Sequence, residues 1–397
     1  MIPFGQLIYD CTLREGMQSV YGPMFSHELR MEIAERLSSI GIRKIELGSP
    51  AAGPRMRESI RLIADSLPEG VESWVHIRCH PADLDTVPEN IDAVGLYLGT
   101  SDLQMRYSHG KQEDDIISHA SKVASAALKR GLRVRFTAED ATRTPLERLM
   151  RIYRGVIERT AGEGGLYPQV IGIADTTGAA TPQDVLRIVE QVRSILPDDV
   201  TIEFHGHNDR GFAAANAMSA LFAGAGSLQV SLHGLGERNG IPSLCDVVAN
   251  LELEQPGSLA GMDRSLLVET AKWLERELGM AASYREPLSS AGYFADFAGV
   301  HANGSANNKA VYHIIDPSLY GTDLLFPINH PLVGRHAIYH AALALGLPAA
   351  GPSDGRVIEA TAIIKERSFR WSKDEALMSP DEAHGLLREV FSRGDSR

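Results

Sequence analysis

His205 and His207 stand two residues apart in Phe204-His205-Gly206-His207-Asn208-Asp209, directly after the β-branched, alternating run Val200-Thr201-Ile202-Glu203. On a strand, residues i and i+2 share a face, so the two imidazoles converge. Two neutral imidazoles held side by side suit a divalent transition metal, with Asp209 or a backbone carbonyl fixing the outer ring nitrogens. The competing reading is a pair of histidines satisfied by hydrogen bonds at a strand end. His-x-His alone is too few ligands, and the third has to come from another element.

Composition narrows what such a site serves. With 397 residues, 44% of them hydrophobic and 23% charged, the chain has apolar mass for a large core. Acidic residues outnumber basic ones 51 to 39, giving a formal charge of −12. No Lys/Arg run is interleaved with aromatics, which argues against nucleic acid as a partner. The N-terminus has no basic segment followed by an apolar one, and no apolar run is of bilayer length, so a cytoplasmic protein with no membrane partner is expected. Cys11, Cys79 and Cys245 lack paired spacing and read as buried small hydrophobes.

The elements that must position the histidines recur with one pattern. Apolar runs at 7–12, 42–47, 71–77, 93–98, 132–137, 170–174, 200–204 and 228–232 read as strands, nearly all followed by helical periodicity. Eight β/α units in about 250 residues have the size and alternation of an α/β (β/α)8 TIM barrel. An open doubly wound sheet is the alternative, but its first strand would lead into G-x-G-x-x-G, and here Leu13-Arg14-Glu15-Gly16 follows. The expected organisation is a barrel over 1–256, a linker subdomain carrying His301 over 257–330, and a small helical subdomain over 331–397.

In such a barrel, chemistry sits at the C-terminal ends of the strands. Polar residues there are Asp10, Arg14 and Glu15; Glu46; His76 and Arg78; Arg135, Thr137 and Glu139; Asp175 and Thr176; His205 and His207; and His233, Glu237 and Arg238. A ring of acids, histidines and arginines is a polar mouth, and Glu15 is the natural third metal ligand.

Five segments carry a resemblance. Asp10-Cys11-Thr12-Leu13-Arg14-Glu15-Gly16-Met17-Gln18, Arg135-Phe136-Thr137-Ala138-Glu139-Asp140, Ala174-Asp175-Thr176-Thr177-Gly178, His205-Gly206-His207-Asn208-Asp209 and Gly234-Leu235-Gly236-Glu237-Arg238-Asn239-Gly240 occur in this order. Together they resemble the metal-dependent barrel family of isopropylmalate, citramalate and homocitrate synthases and 3-hydroxy-3-methylglutaryl-CoA lyase, with the last segment most similar to the homocitrate synthase branch.

The resemblance implies a Claisen-type condensation of acetyl-CoA with a 2-oxo acid, followed by thioester hydrolysis. Glu15, His205 and His207 would hold a divalent cation (Mn, Mg, Zn or Co) that the 2-oxo acid chelates. Arg14 would stabilise the developing alkoxide, and His301 would be the base, with Glu139 as its partner. The equivalent segment of these synthases reaches the neighbouring subunit's barrel, so a homodimer with His301 acting in trans is implied. His76, Arg135 and Thr137 match the positions that read a distal carboxylate, and the implied substrate set extends to Gln18 and Thr176.

Four positions depart from the homocitrate synthase pattern: Arg78 for Gln, Gly95 for Asp, Asp296 for His, and Ala306 for a Tyr five residues after the base. If Arg78 and Gly95 both face the pocket, it is more positive by two units and suits phosphonopyruvate or oxaloacetate as well as 2-oxoglutarate. If Arg78 pairs with a nearby acid, that argument lapses. A lyase running C–C cleavage on the same metal is the alternative activity, although Cys245 lies too far into the helix after the eighth strand to match the lyases' catalytic loop.

Overall fold

The computed structural model describes residues 2–162 and 165–393. Eight parallel strands close into a barrel in chain order: β1 Ile8–Asp10, β2 Lys44–Glu46, β3 Glu72–Arg78, β4 Ala93–Gly99, β5 Arg133–Glu139, β6 Val170–Asp175, β7 Thr201–Gly206 and β8 Ser227–Val230. Pairing of β8 with β1, from Ile8↔Leu228 to Asp10↔Val230, completes the ring and excludes the open sheet. The expected (β/α)8 architecture is the one found. No helix among the described residues is long and apolar enough to cross a membrane.

Local chemistry sets where strands stop. The first was read to run to Thr12, yet it ends at Asp10, because Asp10 Oδ1 accepts a hydrogen bond from the Thr12 backbone N–H at 2.8 Å. That turn starts the one-turn helix Thr12–Glu15, which places Arg14 and Glu15 at the strand's C-terminal end. The outer helices carry conventional signals. In α1 (His27–Ile40) Ser26 Oγ accepts from the Leu29 N–H, and Gly41 terminates the helix at φ 110°. The layer continues with α2 Pro54–Ser66, α3 Glu113–Lys129, α4 Leu146–Gly162, α5 Pro182–Arg193, α6 Ala213–Phe222 and α7 Leu244–Glu254. Only the one-turn helix Pro81–Leu84 joins β3 to β4.

The chain separates into two compact units, Met1–Met280 and Ala281–Arg397, in place of the three segments expected from composition. Residues 257–280 belong with the barrel because α8 (Arg264–Glu277) buries Leu267, Ala271 and Leu274, and the Arg36 guanidinium of α1 lies 4.2 Å over the Trp273 ring. In the second unit, α9 Gly299–Asn307, α10 Arg335–Ala344, α11 Gly355–Ser368 and α12 Pro380–Arg393 share one apolar core. Ala302 and Ile328 lie in that core beside Val357 and Leu387, so residues 281–330 of the segment read as a linker are part of the helical unit.

The barrel interior departs from the usual filling of branched apolar side chains. Inward positions on β2, β5, β7 and β8 carry Glu46, Arg135, Glu203 and Gln229, all buried. Gly95 makes room for one of them, since a Cβ there would collide with the Arg135 guanidinium, and Gly172 likewise leaves space for Thr137.

Candidate active site

At the C-terminal end of the barrel, Glu15, His205 and His207 converge, each offering a ligand atom within 4.8 Å of the others. The two imidazoles present their Nε2 atoms to each other at 3.1 Å, and His205 Nε2 lies 3.7 Å from Glu15 Oε1. The period-two argument from the sequence accounts for this: Glu203, His205 and His207 leave β7 on one face. Two imidazoles and one carboxylate facing a common point fit a divalent cation with positions left for a ligand.

The loop after β8 fixes the second oxygen of Glu15. Glu15 Oε2 accepts from the Glu237 backbone N–H at 3.2 Å, and a Cβ on Gly236 would press on that oxygen at 3.1 Å. The Asn208 N–H donates to Gly240 O at 2.8 Å and Asn239 Nδ2 donates to Asn208 O at 2.7 Å, clasping this loop to the one that carries His207. Asp209 was expected to orient an imidazole and does not: its carboxylate takes Arg238 Nε at 2.9 Å. His205 Nδ1 is held instead by Gln229 Oε1 at 2.7 Å, and His207 Nδ1 has no partner among the described residues.

Charges around the site alternate in a connected path. Arg14 bridges Glu15 and Glu46, with 2.6 Å from Nε to Glu46 Oε2. Glu46 Oε1 accepts from Arg135 Nη2 at 2.8 Å and from the Tyr9 hydroxyl at 2.9 Å, and Arg135 Nη1 donates to Glu203 at 2.6 Å. Burial alone would raise the Glu15 carboxyl, but the Arg14 guanidinium, the two imidazoles and the Glu237 N–H together outweigh it and bring the pKa to about 2. Burial likewise opposes ionisation of Glu46, and Arg14 and Arg135 overcome it to hold that carboxyl well below the usual range. Burial drives His205 down to about 3 and lowers His207, so both imidazoles are neutral and able to ligate at neutral pH.

A cavity of about 240 Å³ opens beside these ligands, lined by Arg14, Gln18, His76, Thr137, Glu139 and Thr176 among others. His76 stacks on Tyr97 at 4.4 Å, a ring the sequence reading did not single out. Its Nδ1 lies 3.2 Å from Arg135 Nη2, which only donates, and 3.5 Å from Glu46 Oε1, which only accepts. Burial and then Arg14 lower the His76 pKa well below its ordinary value, which keeps the ring neutral. Thr176 Oγ1 accepts from the Asp140 N–H at 2.8 Å. Burial and the neighbouring Asp140 raise the Glu139 carboxyl, which accepts from Gln104 Nε2 at 3.2 Å.

Two substrate-binding assignments need correction. Arg78 is turned away: its side chain is 66% exposed, it forms a bidentate pair with Asp83 at 2.7 and 2.8 Å, and it does not line the cavity. At the end of β3 the helix Pro81–Leu84 brings that acid within reach. Arg135 does line the cavity, with its side chain 0% exposed and committed to Glu46, Glu203 and His76. A pocket more positive by two units requires both Arg78 and Gly95 to face it, but Arg78 points elsewhere, and the space beside Gly95 is filled by the Arg135 guanidinium, which two carboxylates match.

Asp10 supplies a pH-dependent term. Burial pushes its carboxyl up to about 7 against its Thr12 hydrogen bonds, and Oδ2 has no partner. A carboxyl raised in the fold above an unfolded value of about 4 binds more protons folded than unfolded, so its contribution to stability falls as pH rises from about 4 to 7. Urea unfolding of Asp10→Asn, which keeps the acceptor for Thr12, is expected to show the variant gaining on the parent across that window and a constant gap above it. Parallel curves from pH 4 to 8 would contradict the assignment.

In the second unit, His301 is exposed on α9 with its ring 4.2 Å from that of Tyr312. The aromatic partner sought five residues after His301 is absent at Ala306, and the turn Lys309–Val311 brings Tyr312 back instead. Gly304 makes the approach possible, since a Cβ there would strike the Tyr312 ring. Asp296 accepts from His313 Nε2 at 3.0 Å.

Residues 6–273 match the HMGL-like family model, and residues 290–369 match the homocitrate synthase post-HMGL domain-like model. The homocitrate synthase of Sulfolobus acidocaldarius is 32% identical over 95% of this chain and 78% of its own. The mitochondrial homocitrate synthase of Yarrowia lipolytica is 33% identical over 98% and 83%. The cytosolic isozyme of Saccharomyces cerevisiae is 33% identical over 91% and 81%. Among solved structures, the HMG-CoA lyase of Bacillus subtilis shares the fold at a TM-score of 0.60 and 24% identity, covering 74% of this chain and 98% of that one. With the barrel and the second unit each matched by a model of that lineage, the chain belongs to the HMGL-like family and, within it, to the homocitrate synthase-like acyltransferases.

Proposed function

We propose that the protein condenses acetyl-CoA with 2-oxoglutarate and hydrolyses the resulting thioester, releasing CoA and a homocitrate-type tricarboxylate. The observation that carries this reading is the convergence of Glu15, His205 and His207 beside Arg14, across a cavity from His76. A divalent cation held by those three ligands would polarise the ketone of the 2-oxo acid. Two imidazoles favour Zn, Co or Mn over Mg in affinity.

The chain's own residues account for the rest. Arg14 stabilises the alkoxide oxygen that forms as the ketone carbon is attacked. His76 reads the distal carboxylate, with Thr137, Thr176 and Gln18 as further polar walls. His301 removes a methyl proton from acetyl-CoA, delivered from the second subunit of a homodimer, and Glu139 is its partner in the proton's path. The methyl carbon then bonds to the ketone carbon, the oxygen is protonated to a hydroxyl, and water cleaves the thioester to a carboxylate and the CoA thiol.

With Arg78 paired to Asp83 and Arg135 neutralised, the case for a more anionic or shorter substrate loses its basis. Free thiol release from acetyl-CoA with Mn²⁺, measured against 2-oxoglutarate, oxaloacetate, 2-oxoisovalerate, pyruvate and phosphonopyruvate, is expected to be fastest with 2-oxoglutarate. Arg78→Gln should leave the order of the panel unchanged. Preference for phosphonopyruvate or oxaloacetate, reversed by Arg78→Gln, would overturn the charge argument, and no thiol release with any 2-oxo acid would overturn the condensation.

A further inference from the structure

The buried path of charges continues past Arg135 and returns to the site from below. Glu203 accepts from Arg135 Nη1 at 2.6 Å, from Ser227 Oγ at 2.8 Å and from Gln229 Nε2 at 2.6 Å. Gln229 Oε1 in turn meets His205 Nδ1 at 2.7 Å and receives the Cys11 thiol at 3.2 Å. Glu15, Arg14, Glu46, Arg135, Glu203, Gln229 and His205 thus form a chain of contacts whose two ends, Glu15 and His205, face the same point.

Donor and acceptor roles along this chain have one solution. A carboxylate paired with a guanidinium only accepts, so Gln229 must turn its NH₂ toward Glu203. Its oxygen then faces His205, and an oxygen next to a neutral imidazole requires Nδ1 to carry the proton. The His205 Nε2 lone pair is left pointing at Glu15 and His207. An imidazole free to choose would spend part of its time as the Nε2–H tautomer, which cannot ligate.

We propose that Gln229, oriented by Glu203, is a positioning residue that imposes the Nδ1–H tautomer on His205 and so prepares the cation site before any cation arrives. This rests on reading Glu15, His205 and His207 as the ligands, but the tautomer is a property of the metal-free protein and is tested separately.

Long-range ¹H–¹⁵N spectra of the metal-free full-length protein at neutral pH are expected to show His205 protonated on Nδ1. Gln229→Met, which keeps the shape and removes both hydrogen bonds, should give a tautomer mixture and weaken Mn²⁺ binding by about 10–100-fold in calorimetric titration. Gln229→Glu retains an acceptor for Nδ1–H and should keep the tautomer. Glu203→Gln keeps an amide oxygen where Oε1 accepts from Arg135 and Gln229 and should keep the tautomer, as should Ser227→Ala, which removes only the partner of Oε2. An Nε2–H signal in the parent, or a Gln229→Met protein with unchanged tautomer, overturns the proposal. Nδ1–H in a parent protein that binds no Mn²⁺ would leave the positioning intact and refute the cation reading instead.

Discussion

Glu15→Gln is expected to lower kcat/KM for thiol release by about 10³-fold or more, equivalent to roughly 4 kcal/mol of transition-state stabilisation. The substitution is nearly isosteric, so its effect comes from charge. It removes the one anionic group of the three proposed ligands and leaves the Arg14 guanidinium with Glu46 as its one remaining carboxylate, and that guanidinium is the group proposed to meet the alkoxide. Because Arg14, the two imidazoles and the Glu237 N–H outweigh burial and bring the Glu15 pKa to about 2, the parent is fully ionised at every pH where the protein would be assayed, and the loss should not be recovered by raising pH. Turnover and bound Mn²⁺ are measured on the same preparation. A variant that keeps more than a tenth of the parent's turnover while holding no measurable Mn²⁺ would mean that the cation is not part of the chemistry.

Glu46→Gln is expected to have the largest effect on folding. Glu46 is wholly buried, and its two oxygens serve Arg14, Arg135 and the Tyr9 hydroxyl. Neutralising it leaves two guanidinium groups with one carboxylate fewer in a medium that solvates charge poorly, a change that typically costs about 3–5 kcal/mol. For the barrel unit that corresponds to a fall in Tm of roughly 10 °C. The exposed ion pairs of Arg61 with Glu58 and Asp65 supply the contrast, since Arg61→Ala should leave the transition in place. Chemical and thermal unfolding of both variants distinguishes the two cases. A Glu46→Gln protein as stable as the parent would show that water or a rearranged partner compensates the buried arginines.

The consequence of this arrangement is that the interior of the barrel contributes to both folding and function. A barrel filled with branched apolar residues would pack without needing partners in register. Here Glu46, Arg135 and Glu203 hold one another in place, and the same contacts fix Arg14 and His205 at the top. Gly95 belongs to this arrangement: its missing side chain is where the Arg135 guanidinium lies, so the departure that suggested a more positive pocket instead accommodates an arginine that is already neutralised.

Much of the barrel and the approach of Glu15, His205 and His207 to one another was legible in the chain because both depend on short-range periodicity. Alternation of apolar runs with helical spacing is a local property, and eight repeats of it leave few ways to bury the apolar faces. His205 and His207 share a face by the geometry of a single strand, and the turn after Asp10 places Glu15 on the rim whatever the rest of the chain does. Glu203 and Gln229 were within reach of the same rule, since Glu203 continues the His207–His205 face inward, but a polar residue deep in a strand gives no sign of what it will meet.

The destination of Arg78, the neutralisation of Arg135, the Gln229 contact to His205 and the return of Tyr312 to His301 were decided only in three dimensions. Each depends on a partner supplied by a different element: Asp83 on a one-turn helix, Glu46 and Glu203 from two other strands, a glutamine 24 residues along on β8, and an aromatic ring beyond a turn. An arginine's charge is written in the sequence, but whether that charge reaches a substrate depends on which carboxylates the closed barrel places around it.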